Sequence, residues 1–161
     1  YGHGLIRKLR DAAARDKLTQ HIDAAVSAGA QLRLGGQPHA LGGNYYSPTL
    51  LTEVSPDMLC AREENFGPLA AVLRFTDEAQ AVTLANASDH GLAGYFYTRD
   101  SARIWRLAEA LEYGMLGINS TQLSNAVGPF GGIKQSGLGR EGSKYGLDEY
   151  LELKYLSWNV G

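Results

Sequence analysis

Between residues 69 and 119, short apolar runs alternate with helical patterns, and this alternation is the feature that most limits the possible folds. Residues 69–75 (LAAVLRF) form an almost continuous apolar run, which is typical of a strand buried on both faces. Residues 93–97 and 115–119 are similar runs. Thr76 or Asp77, and then Asp100 or Ser101, can cap the intervening helices. The pattern predicts an α/β fold with a parallel strand–helix–strand layer.

The flanking segments are less regular. Residues 5–28 have apolar side chains at helical spacing and predict a helix that ends at Gly29. Residues 31–34 predict a strand, and residues 44–52 an edge strand because Pro48 cannot donate to a ladder. Residues 120–139 form a long glycine-rich loop, a type that is usually functional. A short helix over 142–150 and a terminal strand over 151–158 complete the prediction.

Composition excludes several classes of protein. The 161 residues correspond to about one domain, with 44% hydrophobic and 20% charged residues as in ordinary globular proteins. The net charge of −2, with both signs interspersed, argues against nucleic acid as a partner. No apolar run approaches the ~20 residues of a membrane helix, and no secretory signal is visible. One cysteine suits a reducing compartment, and we therefore expect a cytoplasmic protein.

Three features suggest chemistry that their context does not support. Residues 137–142 match the G-x-G-x-x-G dinucleotide fingerprint, but a loop precedes them and only 19 residues follow. Cys60 has no histidine base nearby, so we interpret it as an inert small apolar residue. The four histidines lack metal-ligand spacing, and we expect no metal site.

Two longer motifs point to a family. Residues 62–68 read REENFGP and residues 129–142 read PFGGIKQSGLGREG. With these motifs at this separation, the chain resembles the C-terminal part of NAD(P)-dependent aldehyde dehydrogenases, and residues 139–155 are most similar to succinate-semialdehyde dehydrogenases. The resemblance implies that residues 1–150 are the C-terminal half of a catalytic domain and that 151–161 form an oligomerisation strand. Since the chain begins at Tyr1, we expect a piece of a longer protein, with residues 1–4 as a possible junction.

The resemblance implies oxidation of a small aldehyde by hydride transfer from a thiohemiacetal to NAD or NADP, followed by thioester hydrolysis. In that family the nucleophilic cysteine, the general base and the dinucleotide-binding glycine turn precede the segment that this chain matches. We therefore expect the chain by itself to be inactive. The expected substrate is succinic semialdehyde, with glutarate semialdehyde or a general aldehyde as alternatives.

The resemblance also implies roles for individual residues in cofactor and substrate binding. Glu64 matches the glutamate that holds the nicotinamide ribose, and Phe66 an aromatic beside the nicotinamide; the alternatives are a surface pair with Arg62 and plain core packing. Phe130 matches an aromatic of the aldehyde channel. Ser124 matches a position that binds the distal carboxylate of semialdehydes, although it could be an ordinary turn residue.

Three further positions follow from the same match. Glu141 matches a glutamate that relays protons with the upstream base, and its alternative is a helix-start glutamate. Arg140 and Glu152 match an ion pair near the subunit interface. We expect a homo-oligomer formed through the terminal strand, because an unpaired strand is a template for pairing and missing neighbours leave apolar surface uncovered. A second hypothesis is a non-enzymatic α/β assembly module that associates through residues 151–158.

Overall fold

The computed structural model describes residues 7–161, which form two compact units that meet in sequence between Thr76 and Asp77. The first unit contains two helices and five strands: β1 Arg7–Lys8, α1 Ala12–Ser27, β2 Gln31–Leu34, β3 Tyr45–Tyr46, β4 Thr49–Thr52, α2 Leu59–Arg62 and β5 Leu69–Ala71. The second contains α3 Glu78–Asn86, β6 His90–Gly91, β7 Ala93–Phe96, α4 Ser101–Ala110, β8 Met115–Ile118, β9 Ile133–Lys134 and a 3₁₀ helix, Tyr145–Tyr150.

Helix α1 supplies most of the core of the first unit. Asp11 caps its start, where the carboxylate accepts the backbone N–H of Ala14 at 2.8 Å. The predicted helix start at residue 5 is wrong for the described part, because Arg7–Lys8 pairs with β3 before the cap. The predicted end is confirmed: Gly29 follows the helix with φ of 103°.

The core of the first unit is a single apolar cluster. One face of α1 packs with β3, β4 and the following turn, and the buried hydrophobic residues are Leu9, Leu18, Ile22, Ala25, Ala30, Tyr46, Leu51, Val54, Met58 and Cys60. The ring of Tyr46 is completely buried, and its hydroxyl lies 3.2 Å from the Thr19 hydroxyl. A buried phenol needs such a partner, so this hydrogen bond lets a polar atom sit in the core.

Strand β4 is the centre of a three-stranded sheet. It pairs antiparallel with β2, as Leu32 opposite Leu51, and parallel with β5, as Leu50 opposite Ala70. The edge-strand prediction is therefore wrong for β4. Pro48 lies just before the strand and separates it from β3, so the missing N–H costs no ladder bond.

The second unit contains the predicted parallel strand–helix–strand motif. Strands β7 and β8 pair in parallel through four residues each and are joined by α4. Asp77 and Asp100 cap α3 and α4 as predicted. The α/β prediction is confirmed, but the apolar run from Leu69 pairs with β4 instead of extending this layer. A strand's partner depends on tertiary packing, which periodicity does not reveal.

Polar contacts join α3 and α4. Glu78 accepts hydrogen bonds from Arg103 at 2.7 Å and Arg106 at 3.1 Å. At the other end, the Asn86 amide donates to the Ala110 carbonyl and accepts from the Glu112 N–H. The two helices are thus fixed at both ends.

The glycine-rich loop packs directly on the start of β8. A Cβ at Gly114 would lie 2.1 Å from the Gly131 carbonyl oxygen and 2.7 Å from the Gly132 Cα. The loop is also less irregular than predicted, because its β9 segment pairs antiparallel with β6. Glycine at 114 therefore permits a backbone contact that orders the loop.

The predicted terminal strand is not among the strands that the structure forms. Residues 151–161 are exposed and have no ladder partner among residues 7–161. Strand pairing needs partners for the backbone N–H and C=O groups, and none of the described strands pairs with this segment. The predicted short helix is present as the 3₁₀ helix Tyr145–Tyr150.

Apolar surface is unevenly distributed. All the described hydrophobic side chains that are buried lie between Leu9 and Cys60, in the first unit. The second unit exposes large apolar side chains, among them Trp105, Leu138, Tyr155 and Trp158. This agrees with the expectation of uncovered apolar surface. Within residues 7–161, no helix is long and apolar enough to cross a bilayer.

We predict that Gly114→Ala lowers the free energy of unfolding by about 1–3 kcal/mol, because the new methyl group meets backbone atoms that cannot turn aside. Urea denaturation measures the change. Gly146→Ala is the matched control, since its Cβ would meet nothing closer than 3.4 Å. Equal stability of both variants would contradict the close approach.

We predict that acid destabilises the second unit partly through Asp100. Its hydrogen bond from the Arg103 N–H lowers the pKa of this carboxyl below the usual 3.8. A lowered folded-state pKa adds stability above the unfolded value, which is lost as pH falls through the folded pKa. Asp100→Asn keeps the cap acceptor and should show a smaller fall in thermal midpoint from pH 6 to pH 3.

Asp89→Asn is the control, because no hydrogen bond to the Asp89 side chain is present in the described structure. It should keep the full acid sensitivity. Identical pH profiles for the native chain and Asp100→Asn would show that this cap does not contribute.

Candidate functional site

The loop at residues 63–68 presents the exposed side chains of Glu64 and Phe66 from an anchored backbone. It leads from the end of α2 to the start of β5. The Glu63 N–H donates to the Leu59 carbonyl at 2.8 Å, and at the other end the Pro68 carbonyl accepts from the Thr49 N–H at 2.8 Å. Gly67 lies against Leu18, since a Cβ there would be 3.0 Å from a methyl carbon of that leucine.

Glu64 and Phe66 are the residues left outside these anchors. Phe66 is 89% exposed, so the core-packing alternative is wrong for the described residues. Glu64 is also exposed and forms no ion pair with Arg62 or with any other described residue. A free carboxylate beside a bare aromatic ring offers two acceptor oxygens and an apolar plane to a ligand.

A cleft of about 740 Å³ lies in the second unit, along the glycine-rich loop and the 3₁₀ helix. Phe130, Arg140 and Glu141 line it together with Leu147 and Glu149. Phe130 and Glu141 exchange two backbone hydrogen bonds, at 2.8 and 2.7 Å. The structure therefore brings Phe130, Arg140 and Glu141 together at one cleft.

Glu141 does not begin a helix, because the 3₁₀ helix starts four residues later at Tyr145. The helix-start alternative is therefore wrong. Its backbone is fixed by Phe130, while its side chain is exposed. The Glu141 carboxylate is therefore available to contact a ligand or another polypeptide segment.

Arg140 is committed to the loop backbone. Its guanidinium donates to the carbonyl oxygens of Gly132 at 2.8 Å and Gly139 at 2.7 Å. Glu152 is exposed, and within the part of the chain that the structure describes it forms no ion pair with Arg140. The expected pair is therefore not made between these two residues of one chain.

Ser124 lies in an exposed stretch and does not line the cleft. The following Asn125 makes the turn instead: its side-chain oxygen accepts the N–H groups of Val127 and Gly128 at 3.1 and 2.7 Å. The Ser124 hydroxyl has no hydrogen bond to another described residue.

Lys134 is a residue that sequence reasoning missed. Its ammonium donates to the carbonyls of Asn86 at 2.8 Å and Ser88 at 3.1 Å, and lies 2.6 Å from the Glu112 carboxylate. These contacts tie the glycine-rich loop to the ends of both helices. A lysine within a glycine-rich motif was the available signal, but its acceptors are distant in sequence.

Cys60 and residues 137–142 agree with their sequence interpretation. Cys60 is buried, and burial raises the pKa of its thiol, which disfavours the nucleophilic thiolate. Residues 137–142 follow a two-residue strand and lead into a 3₁₀ helix, which is not the strand–turn–α-helix of a dinucleotide fingerprint. Among the described residues, no cluster of His, Cys, Asp or Glu could hold a metal ion.

The two groups of site residues belong to different units. Glu64 and Phe66 lie in the first unit, and Ser124, Phe130, Arg140, Glu141 and Glu152 in the second. The first unit presents an exposed carboxylate and ring, and the second contains a glycine-lined cleft with an aromatic wall.

Two curated relatives are similar along most of the chain. Glutarate-semialdehyde dehydrogenase of Pseudomonas aeruginosa is 57% identical over 148 residues, which is 92% of this chain and 31% of the relative. Mitochondrial succinate-semialdehyde dehydrogenase of Homo sapiens is 57% identical over 145 residues, which is 90% of this chain and 27% of the relative. The chain thus spans less than a third of these relatives' length.

Solved structures share its fold. Succinate-semialdehyde dehydrogenase from Burkholderia pseudomallei matches with a TM-score of 0.90 and 56% identity, over 92% of this chain and 31% of that one. An NAD⁺ complex of aldehyde dehydrogenase from Bacillus cereus matches with a TM-score of 0.89 and 35% identity, over 95% and 31%. That Bacillus cereus enzyme therefore binds NAD⁺.

The family profile matches nearly the whole described chain. The profile described as the Aldehyde dehydrogenase family covers residues 8–156, which include both sequence motifs and both groups of candidate residues. With this match and the shared fold, the chain belongs to the aldehyde dehydrogenase family.

Proposed function

We propose that this chain contributes to the NAD(P)-dependent oxidation of a small acidic aldehyde, and that succinic semialdehyde is the substrate. The observation that carries the proposal is the loop that exposes Glu64 and Phe66 between two backbone anchors. An unpaired carboxylate fits a vicinal diol, and an uncovered ring fits the flat nicotinamide. The residues present therefore fit a nicotinamide cofactor, either NAD or NADP.

The cofactor, when bound, supplies the hydride acceptor. Glu64 accepts hydrogen bonds from the ribose hydroxyls, and Phe66 packs beside the ring, so that both side chains orient the cofactor. Positioning of this kind is the protein's main contribution in cofactor enzymes. The chain's one cysteine is buried, which supports the proposal that the nucleophile and the general base come from other polypeptide and that this chain alone is inactive.

Phe130 lines the channel through which the aldehyde enters. It forms an apolar wall of the cleft, next to the glycine-rich backbone that Arg140 holds. Glu141, bridged to Phe130 through its backbone, relays protons with the base that another segment supplies. Arg140 and Glu152 contribute to a subunit interface. There Glu152 can form an ion pair with another subunit, since it forms none with Arg140 within residues 7–161.

Ser124 donates a hydrogen bond to the distal carboxylate of the substrate. Its hydroxyl is exposed and has no hydrogen bond to another described residue, which leaves it available for a ligand. One neutral donor does not offset a buried carboxylate, so a cationic group from another segment must assist. Relatives named for succinate and glutarate semialdehydes are equally similar, so glutarate semialdehyde is the alternative substrate and a general aldehyde a weaker one.

The chain also associates with copies of itself through its last residues. Residues 151–158 expose Leu153, Tyr155 and Trp158 almost completely, and such unburied apolar side chains favour association. The same observation favours the second hypothesis, a non-catalytic assembly module. A cytoplasmic location, suggested by the single free cysteine, remains a prediction.

We predict that Glu64→Gln lowers kcat/KM for NAD(P)⁺ about tenfold in the complete product of the gene that encodes this chain. The amide keeps one acceptor oxygen but loses the charge, and hydrogen bonds to charged groups are worth about 1.5–3 kcal/mol. Steady-state kinetics with succinic semialdehyde measure the change. Asp16→Asn, on the exposed side of α1, is the control. Unchanged kinetics in Glu64→Gln would refute the assigned role, and an inactive gene product would favour the assembly module.

We predict that Ser124→Ala raises KM about tenfold for succinic semialdehyde and leaves KM for a neutral aldehyde of the same length unchanged, because only the former has a distal carboxylate. Ser120→Ala, in the same loop, is the control. Equal effects on both aldehydes would contradict carboxylate recognition. Comparison with glutarate semialdehyde decides the preferred chain length.

We predict that the 161-residue chain sediments as an oligomer and that removal of residues 151–161 shifts it towards monomer. The deleted side chains are exposed and support no described strand, so the remaining units should keep their fold. Sedimentation velocity and circular dichroism measure the two properties. A native chain that remains monomeric on concentration would contradict self-association.

A further inference from the structure

A buried histidine lies beneath the first residue of the loop at 63–68. The His21 side chain is 2% exposed, and its Nδ1 has no hydrogen-bond partner among residues 7–161. Its Nε2 lies 3.4 Å from Oε2 of Glu63. The Lys17 ammonium lies 3.4 Å from the same carboxylate oxygen. Glu63 is thus the polar neighbour of a buried imidazole and also pairs with a lysine.

These contacts join two elements that are distant in sequence. Lys17 and His21 are one helical turn apart on α1, so they share a face of the helix. Glu63 ends α2 and begins the loop, and its N–H is already bonded to Leu59. Its side chain therefore adds a second attachment, which fixes the loop to α1 as well as to α2.

The position of this attachment relates it to the exposed pair. The downstream end of the loop is held by Gly67 against Leu18 and by the Pro68 carbonyl. Upstream, the Glu63 carboxylate is the contact with α1 that precedes Glu64. Holding residues 63 and 67 in place restricts the backbone between them, which carries Glu64 and Phe66.

We propose that Glu63, through Lys17 and His21, is a positioning residue that holds the loop so that Glu64 and Phe66 meet the nicotinamide cofactor. The inference rests on the cofactor role proposed for those two residues. Loss of the carboxylate removes the attachment of the loop to α1, while the Glu63 N–H bond to Leu59 remains. It also leaves the His21 Nε2 without its acidic neighbour. The fraction of chains with a binding-competent loop falls, and the apparent dissociation constant rises by the same factor.

The magnitude follows from the surroundings of the pair. Exposed ion pairs are worth at most about 1 kcal/mol because water screens them. Lys17 and Glu63 are each about half exposed, at 47% and 50% of their side chains, but His21 is shielded from water. We therefore expect an effect near the upper end of that range, which corresponds to about fivefold in binding.

The test compares Glu63→Ala and Glu63→Gln in the complete product of the gene that encodes this chain. Glu63→Ala should raise KM for NAD(P)⁺ about fivefold with kcat within about twofold. Glu63→Gln keeps a side-chain oxygen beside the His21 Nε2 but loses the ion pair with Lys17, so it should raise KM by a smaller factor than Glu63→Ala. Asp16→Ala, which removes a carboxylate from a surface pair with Arg15, should change neither constant.

Hydrogen–deuterium exchange of the 161-residue chain gives a readout that needs no activity. In Glu63→Ala the amides of residues 64–66 should exchange faster, while those of β7 and β8 keep their native rates. Lys17→Ala is the second variant if Glu63→Ala fails to fold, because it leaves the His21–Glu63 contact in place; it should accelerate the same amides to a smaller extent.

The outcomes separate this inference from the proposed function. If Glu64→Gln weakens cofactor use but Glu63→Ala leaves both KM and exchange unchanged, the positioning role is refuted alone. If Glu63→Ala lowers kcat and the thermal midpoint and Glu63→Gln does not rescue them, the residue is merely structural. If Glu64→Gln is silent, the cofactor role fails, and exchange still decides whether Glu63 anchors the loop.

Discussion

Close backbone packing at glycine orders both groups of candidate residues, the loop with Glu64 and Phe66 and the loop with Phe130. At Gly114, the start of β8 approaches the Gly131 carbonyl so closely that a Cβ would lie 2.1 Å from it, and the loop with Phe130 follows from that contact. At Gly67, the absence of a side chain lets the loop with Glu64 and Phe66 pack on Leu18. In each case a glycine permits close packing of the backbone, and that packing positions the neighbouring candidate side chains. The hydrogen bonds of Arg140 and Lys134 then reinforce an arrangement that steric fit permits.

The two units differ in how they are stabilised, and this difference bears on function. The first has a buried apolar cluster around Tyr46, and its site residues are exceptions on its surface. The second has no buried hydrophobic side chain among its described residues; its strands pair, polar contacts join its helix ends, and many of its large apolar side chains are exposed. Apolar surface of this extent is typical of interfaces. The chain spans less than a third of its relatives' length. Its exposed Phe66 and Trp158 fit the proposal that other polypeptide completes the site.

Local sequence predicted local structure well. Asp77 and Asp100 are helix caps, Gly29 ends a helix, and β2, β7 and β8 lie where their apolar runs indicated. Capping and turn formation involve neighbours in sequence, so a short window contains the necessary information. Pairing of β5 with β4, and of β9 with β6, joins segments by packing and was not predicted. The motifs identified Phe130, Arg140 and Glu141 as separate candidates, but neither their common cleft nor Lys134, whose acceptors are up to 48 residues away.

The sequence by itself determined the family, the α/β class and the residue types at the site, because each depends on patterns along the chain. Only the tertiary structure decided that Glu64 is unpaired, that Phe66 is bare, and that Glu63 is the acidic residue attached to α1. Glu63 and Glu64 are adjacent and chemically identical, so nothing local distinguishes them. Their difference arises because the packing of α1 against the loop places Lys17 and His21 next to one carboxylate and leaves the other in solvent.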